Sequence, residues 1–106
     1  VRAFQKSQVQ ASTDALTGLA NRRSIEERIR DITSRGAPYA FVLGDLDHFK
    51  KLNDTYGHES GDRALRIFGQ VLRRTIRKGD MAARWGGEEF AVVLPGATAS
   101  QAHDLT

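Results

Sequence analysis

Met81-Ala-Ala-Arg-Trp-Gly-Gly-Glu-Glu-Phe-Ala-Val-Val-Leu94 decides the architecture. Met81 to Trp85 and Glu88 to Leu94 are short, largely apolar runs, and Gly86-Gly87 between them reads as a two-residue hairpin turn, because adjacent glycines adopt the positive φ that tight hairpins require. Pro95-Gly96 closes the second strand. Upstream, Tyr39-Ala-Phe-Val-Leu-Gly44 is a continuous apolar run with aromatic and β-branched residues, the pattern of a strand buried on both faces, and it ends on Asp45. Placed beside the hairpin in one sheet, this strand brings Asp45 to the edge where Glu88 and Glu89 stand.

Helices fill the intervals. Ser24-Ile-Glu-Glu27 is a capping box that predicts a helix start, Ile25, Ile29 and Ile32 repeat at helical spacing, and Gly36 then Pro38 supply the stop. From Asp62 to Lys78, Leu65, Phe68, Leu72 and Ile76 form an apolar stripe that Ile67 and Val71 widen, with Gly79 as its stop. Asp45 to Gly61 is polar and irregular, with a helical turn over Phe49 to Asn53. Residues 1–13 are expected to be a connector helix or tail, and Thr98 or Ser100 to cap a last helix.

The composition fits one globular domain: 106 residues, 40% hydrophobic, 27% charged, 10 Gly and 2 Pro. With no cysteine, a disulfide framework and Cys-based zinc sites are excluded, and a cytoplasmic location is expected. The apolar run from Tyr39 is far shorter than the roughly 20 residues of a membrane-spanning helix, so no span is expected here. A net charge of +3 makes an anionic partner plausible, but no interleaving of aromatic and basic residues supports nucleic-acid binding. Walker loops, dinucleotide fingerprints and His-Glu-x-x-His zinc motifs are absent.

What remains is an oxygen-only donor set. Asp45 at a strand tip and Glu88-Glu89 at a hairpin suit Mg²⁺ or Mn²⁺ completed by a phosphate-bearing substrate, and Gly86 and Gly87 would let a nucleotide approach the backbone. Solvated acids at an ordinary turn fit the same residues.

Gly86-Gly87-Glu88-Glu89-Phe90 resembles the signature of the diguanylate cyclase family, whose GGDEF domain is named for this motif and accepts Asp or Glu at its third position. Further blocks resemble that family in order: Asp14-Ala-Leu-Thr-Gly-Leu-Ala-Asn-Arg-Arg23, Asp45-Leu-Asp-His-Phe-Lys50, Asn53-Asp-Thr-Tyr-Gly-His58, Gly61-Asp62 and Arg84-Trp85 leading into the signature. They run from Asp14 to about Gly96.

The resemblance implies an α/β fold, a palm-like nucleotidyl cyclase domain with a central, mostly antiparallel sheet flanked by helices, over residues 14–106. It implies condensation of two GTP into cyclic di-GMP and two pyrophosphates by a homodimer, under an upstream sensor outside this stretch. By the same resemblance Asp45, Glu88 and the Leu46 carbonyl hold Mg²⁺ or Mn²⁺, Glu89 supports the metal or ribose, and Glu88 accepts the attacking hydroxyl's proton. Asn53 and Asp62 match the guanine-reading pair, which agrees with a carboxylate accepting from N1–H and the exocyclic amine while an amide serves the acceptor edge. Leu16 and Leu65 would wall that pocket, and Lys50 with the backbone amides of His48 and Phe49 would meet the β- and γ-phosphates. Arg77-Lys-Gly-Asp80, five residues before Gly86, corresponds to the family's product-inhibition site. As plain chemistry, Arg77 would neutralise a helix end, Asp62 would favour a helix first turn, and the leucines would be core. His58 resembles a family position without a clear role, and His48 and His103 are expected to be solvated. The family domain continues for a further helix, strand and basic segment, so the sequence is expected to lack a C-terminal part. A non-catalytic domain that binds GTP or cyclic di-GMP is the alternative function.

Overall fold

A computed structural model describes residues 12–97. In chain order the elements are β1 (Ala20–Asn21), α1 (Arg22–Ser34), β2 (Tyr39–Asp45), α2 (Phe49–Tyr56), α3 (His58–Thr75), β3 (Met81–Arg84) and β4 (Glu89–Pro95). They form one four-stranded sheet of order β1-β3-β4-β2, antiparallel except for the short parallel pairing of β1 with β3. The expected mostly antiparallel sheet flanked by helices is what the chain adopts. The connector over residues 1–11, the last helix and His103 lie outside the described residues.

β4 is the strand with both faces covered. Phe90, Val92 and Leu94 face a core with Leu19, Leu65 and Ala82, onto which α3 packs Phe68 and Leu72, joined by Ile76 just past its end. Ala91 and Val93 face the opposite way, onto Ile25 and Ile32 of α1 and Ala83. Burying each large aliphatic side chain contributes about 1.5–3 kcal/mol, and Ile25, Ile32, Leu65 and Val93 are all fully buried. Phe68 meets Phe90 edge to face, with centroids 4.7 Å apart.

β2 departs from the expectation of two buried faces. Ala40 and Val42 pack onto the α3 side, but Tyr39, Phe41 and Leu43 remain 38–48% exposed. The cause is position: β2 is the sheet's edge, beside β4 only, and α1 packs over β3 and β4.

Three local expectations also change. The capping box is not formed: α1 starts at Arg22, and the side chain of Asn21 caps it by accepting from the Ser24 N–H at 2.9 Å. The Ser24 hydroxyl instead donates to the Ser12 carbonyl (2.8 Å), and Glu27 pairs with Arg23. The helical turn after Asp45 is longer than expected, because Phe49–Tyr56 is a full helix that Gly57, at φ +90°, separates from α3. Finally, α3 runs His58–Thr75, four residues earlier at its start and three at its end than the Asp62 to Lys78 reading. Ile76 turns extended and joins the core, and the chain reverses through Gly79 (φ +96°) into β3.

Candidate active site

The hairpin turn is wider than a two-residue loop. Trp85 N–H donates to the Glu89 carbonyl at 2.8 Å, enclosing Gly86, Gly87 and Glu88, and neither glycine has a positive φ. Their small size has another use. A Cβ on Gly86 would lie 2.7 Å from Glu89 Oε1, so the turn accommodates that carboxylate.

β2 and β4 then place the acids. Antiparallel register sets Asp45 opposite Glu89, and the Leu46 N–H donates to the Glu88 carbonyl at 3.2 Å, extending the pairing one residue past the strand. Asp45, Glu88 and Glu89 share an open cleft of about 480 Å³ with Gly87, Phe49, Asn53, His58, Asp62, Leu65 and Arg84. The sheet supplies the first carboxylates, while α2 supplies Asn53 and α3 supplies Asp62 and Leu65. Leu65, fully buried, is both core and cleft floor.

The other residues expected at this site, Leu16, Leu46, His48, Lys50 and Gly86, are not among those that line the cleft. Leu46 and Leu16 pack against the core, and Lys50 is exposed on the first turn of α2. His48 has a left-handed backbone (φ 62°) immediately before α2, and its side chain does not cap that helix. Among the described residues, no group of three or more His, Cys, Asp or Glu side chains is preassembled around one point. Mg²⁺ characteristically takes one or two protein carboxylates with substrate phosphates and waters, and the Asp45 and Glu88 donor set fits that mode.

Arg84 has no role in the motif reading, yet it braces the turn. Its Nε and one terminal nitrogen donate to the Gly87 carbonyl (3.2 and 2.8 Å), and the other contacts Asp14 Oδ1 at 3.3 Å. Asp14 in turn accepts from the Thr17 N–H and hydroxyl. Burial pushes the Asp14 carboxyl up, but the Thr17 hydrogen bonds and the Arg84 charge outweigh it and hold the group below the ordinary carboxylate range. The available signal was a lone arginine at the end of an apolar strand. Next to it Trp85 stacks under the Arg22 guanidinium (4.1 Å to the ring centre) and meets Phe41 edge to face.

Arg77 and Asp80 form a separate corner between α3 and β3. The Asp80 carboxylate accepts from the Arg77 backbone N–H, Nε and a terminal nitrogen at 2.8–3.1 Å. Arg77 lies two residues beyond the last helical residue, and Arg73 and Arg74 stand in the last turn of α3. Its guanidinium is half exposed, and the Asp80 partnership raises its pKa.

A sequence model described as "Diguanylate cyclase, GGDEF domain" matches residues 11–106, and the chain belongs to that family. It is 42% identical over 97 residues to the diguanylate cyclase DgcS of Shewanella oneidensis, covering 88% of this chain and 33% of DgcS. It is 45% identical over 89 residues to the response regulator PleD of Caulobacter vibrioides, covering 80% of this chain and 20% of PleD. The chain thus spans a third or less of these relatives. Among solved structures, the diguanylate cyclase SiaD of Pseudomonas aeruginosa, in complex with its activator SiaC, superposes with a TM-score of 0.84 at 39% identity, over 98% of this chain and 42% of SiaD. The coiled coil and GGDEF domain of DgcB from Caulobacter crescentus, in complex with c-di-GMP, gives 0.86 at 32% identity, over 98% and 56%. No helix among the described residues is long and apolar enough to cross a membrane.

Proposed function

We propose that this domain condenses two GTP into cyclic di-GMP and two pyrophosphates, acting as one half of a homodimer, with residues before Asp14 connecting it to an upstream sensor segment and the protein working in the cytoplasm. The observation that carries this reading is the β2–β4 register, which sets Asp45 opposite Glu89 and ties Leu46 to Glu88 at one wall of a cleft whose other wall holds Asn53 and Asp62.

The base sits at the helical end, over Leu65 and beside Leu16, with Asp62 accepting from its N1–H and amine and Asn53 serving its acceptor edge. The backbone amides of His48 and Phe49, with Lys50, receive the β- and γ-phosphates. Gly86 and Gly87 leave room for the sugar and α-phosphate against the backbone. Asp45, Glu88 and the Leu46 carbonyl would hold Mg²⁺ or Mn²⁺, which would neutralise charge growing on the phosphate oxygens.

Each 3′-hydroxyl attacks the α-phosphorus of the GTP held by the other subunit. The new P–O bond forms as the α–β bond breaks, pyrophosphate leaves, and the hydroxyl proton passes to the Glu88 carboxylate, with Glu89 supporting the ribose or metal. Because one cleft holds one nucleotide, two mutual attacks require two domains face to face. Product feedback belongs to the Arg77 and Asp80 corner, where a guanidinium already half exposed can grip phosphate and guanine.

Purified protein carrying this domain, incubated with GTP and Mg²⁺ or Mn²⁺, should yield cyclic di-GMP and pyrophosphate, and Glu88→Gln should not. Tight nucleotide binding with no product from the unaltered protein would replace this reading with the regulatory, non-catalytic one.

A further inference from the structure

Gly61 has no role in the functional reading, although it is buried in the second turn of α3 directly behind the cleft wall. A Cβ built there would lie 2.7 Å from Asn53 Cγ, 3.1 Å from Nδ2 and nearer still to Oδ1, well inside the closest approach of real Cβ atoms. The carboxamide of Asn53 therefore packs oxygen-first against α3 at Gly61, in space that only glycine leaves open. Its Oδ1 is buried and has no hydrogen-bond partner among the described residues. The Gly61 Cα hydrogen that replaces a methyl points toward that oxygen, a weak C–H···O contact that an NH₂ could not make.

From this juxtaposition we infer that Gly61 is a positioning residue for base selection: it fixes the Asn53 amide with its oxygen turned inward and its NH₂ end alone offered to the cleft. The inference rests on the reading of Asn53 and Asp62 as the base-binding pair. With the amide fixed, the cleft presents a donor from Asn53 and an acceptor from Asp62. Guanine complements that order through an acceptor edge beside its N1–H and amine. Adenine lacks N1–H, and its N6 amine needs an acceptor where a fixed amide offers a donor. An amide free to rotate could present its oxygen and lose that discrimination. Because the conflicting atoms are the end of a side chain, an alanine at 61 displaces the amide and spares the fold.

The test uses the whole protein and α,β-methylene analogues of GTP and ATP, which cannot release pyrophosphate, so that binding is read without turnover. Gly61→Ala should weaken the GTP analogue by roughly 3–10-fold, the scale of one hydrogen bond, leave the ATP analogue nearly unchanged, and so narrow the preference. In an Asn53→Ala background the same substitution should not change either affinity. It should there raise the melting temperature by roughly 4–8 °C, since alanine outranks glycine in a helix once nothing opposes its methyl. If Asn53→Ala weakens the GTP analogue but Gly61→Ala leaves the GTP-to-ATP ratio intact, the positioning role is wrong and the base-binding reading stands. If Asn53→Ala itself leaves GTP binding intact, the base-binding reading fails and the inference with it. Equal destabilisation by Gly61→Ala in both backgrounds would reduce Gly61 to helix packing and overturn the proposal.

Discussion

The cleft and the Arg77–Asp80 corner are both built from acidic and basic motif residues, but they spend them differently. In the corner, one nearly buried carboxylate accepts three hydrogen bonds from one arginine, so its polar groups are mutually satisfied. In the cleft, Asp45, Asp62, Glu88 and Glu89 gather with no ion pair to any of them among the described residues. The one arginine in the cleft, Arg84, is committed to Asp14 and the Gly87 carbonyl, so these carboxylates stay open to groups supplied from outside, the metal ion and nucleotide that the proposed function requires. The corner is self-sufficient and can respond to a ligand only by giving up bonds it already has.

The largest effect that would break this contrast belongs to Glu88→Gln. The amide keeps the volume and removes one charge from the metal and proton-accepting set, so turnover should fall by about 100-fold or more. Trp85, the chain's one tryptophan, should keep its fluorescence, since its contacts are with Arg22 and Phe41. Near-normal cyclic di-GMP synthesis by this variant would show that the carboxylate's charge serves no catalytic purpose. Next in size is Asp62→Ala. Losing a charged acceptor costs about 1.5–3 kcal/mol, so GTP should bind roughly 10–100-fold more weakly while ATP changes little. An unchanged GTP preference would remove Asp62 from base reading.

The corner predicts a different phenotype. Arg77→Ala leaves Asp45 and Glu88 untouched, so the initial rate should persist while added cyclic di-GMP inhibits less. Stability should drop slightly, because the buried Asp80 carboxylate keeps only the backbone N–H of its present donors. A GTP-saturated progress curve with added product compares the two proteins. Equal inhibition, or complete relief of the wild-type effect by excess GTP, would leave Arg77 and Asp80 as a turn and nothing more.

These contrasts also show what the sequence could carry. Strand adjacency was legible because apolar runs ending on Asp45 and on a glycine turn constrain the pairing, and the stripe from Leu65 to Leu72 did belong to one helix, with Ile76 just past its end. The faces of β2 were not legible: Tyr39, Phe41 and Leu43 look like core residues, and their exposure follows from the strand's place at the edge, a property of topology and not of composition. Ser24 and Glu27 have the composition of a capping box, yet Asn21 takes the cap because it closes a strand directly into the helix. Gly86 and Gly87 were read as turn residues with positive φ, whereas the one with a visible steric reason is Gly86, beside Glu89. Arg84 has no role legible in its motif, since its work is done through the Gly87 carbonyl and through Asp14, 70 residues away in sequence.

That brace gives the smallest effect, and it sharpens the contrast by asking whether a satisfied pair can serve an unsatisfied site. Arg84 and Asp14 are each only about one-fifth exposed, and the Asp14 carboxyl titrates below its ordinary value of about 3.9. A depressed folded-state pKa means that the unfolded chain takes up the proton first as pH falls. The contribution is therefore fully present above about pH 4 to 5 and is lost as pH drops through the folded-state pKa. Asp14→Asn keeps an oxygen for Thr17 but removes the charge and the second acceptor, which Arg84 uses, so it should lower stability by about 1 kcal/mol at neutral pH. The gap between wild type and variant should shrink as the acid limb is entered, and denaturant midpoints measured from pH 7 down to pH 3 would follow it. A gap that stayed constant across that range would assign the brace to shape, not charge. If the gap closes but the neutral-pH turnover of Asp14→Asn matches wild type, Arg84 holds the Gly87 carbonyl without help from Asp14, and the turn that carries Glu88 is braced from within its own hairpin.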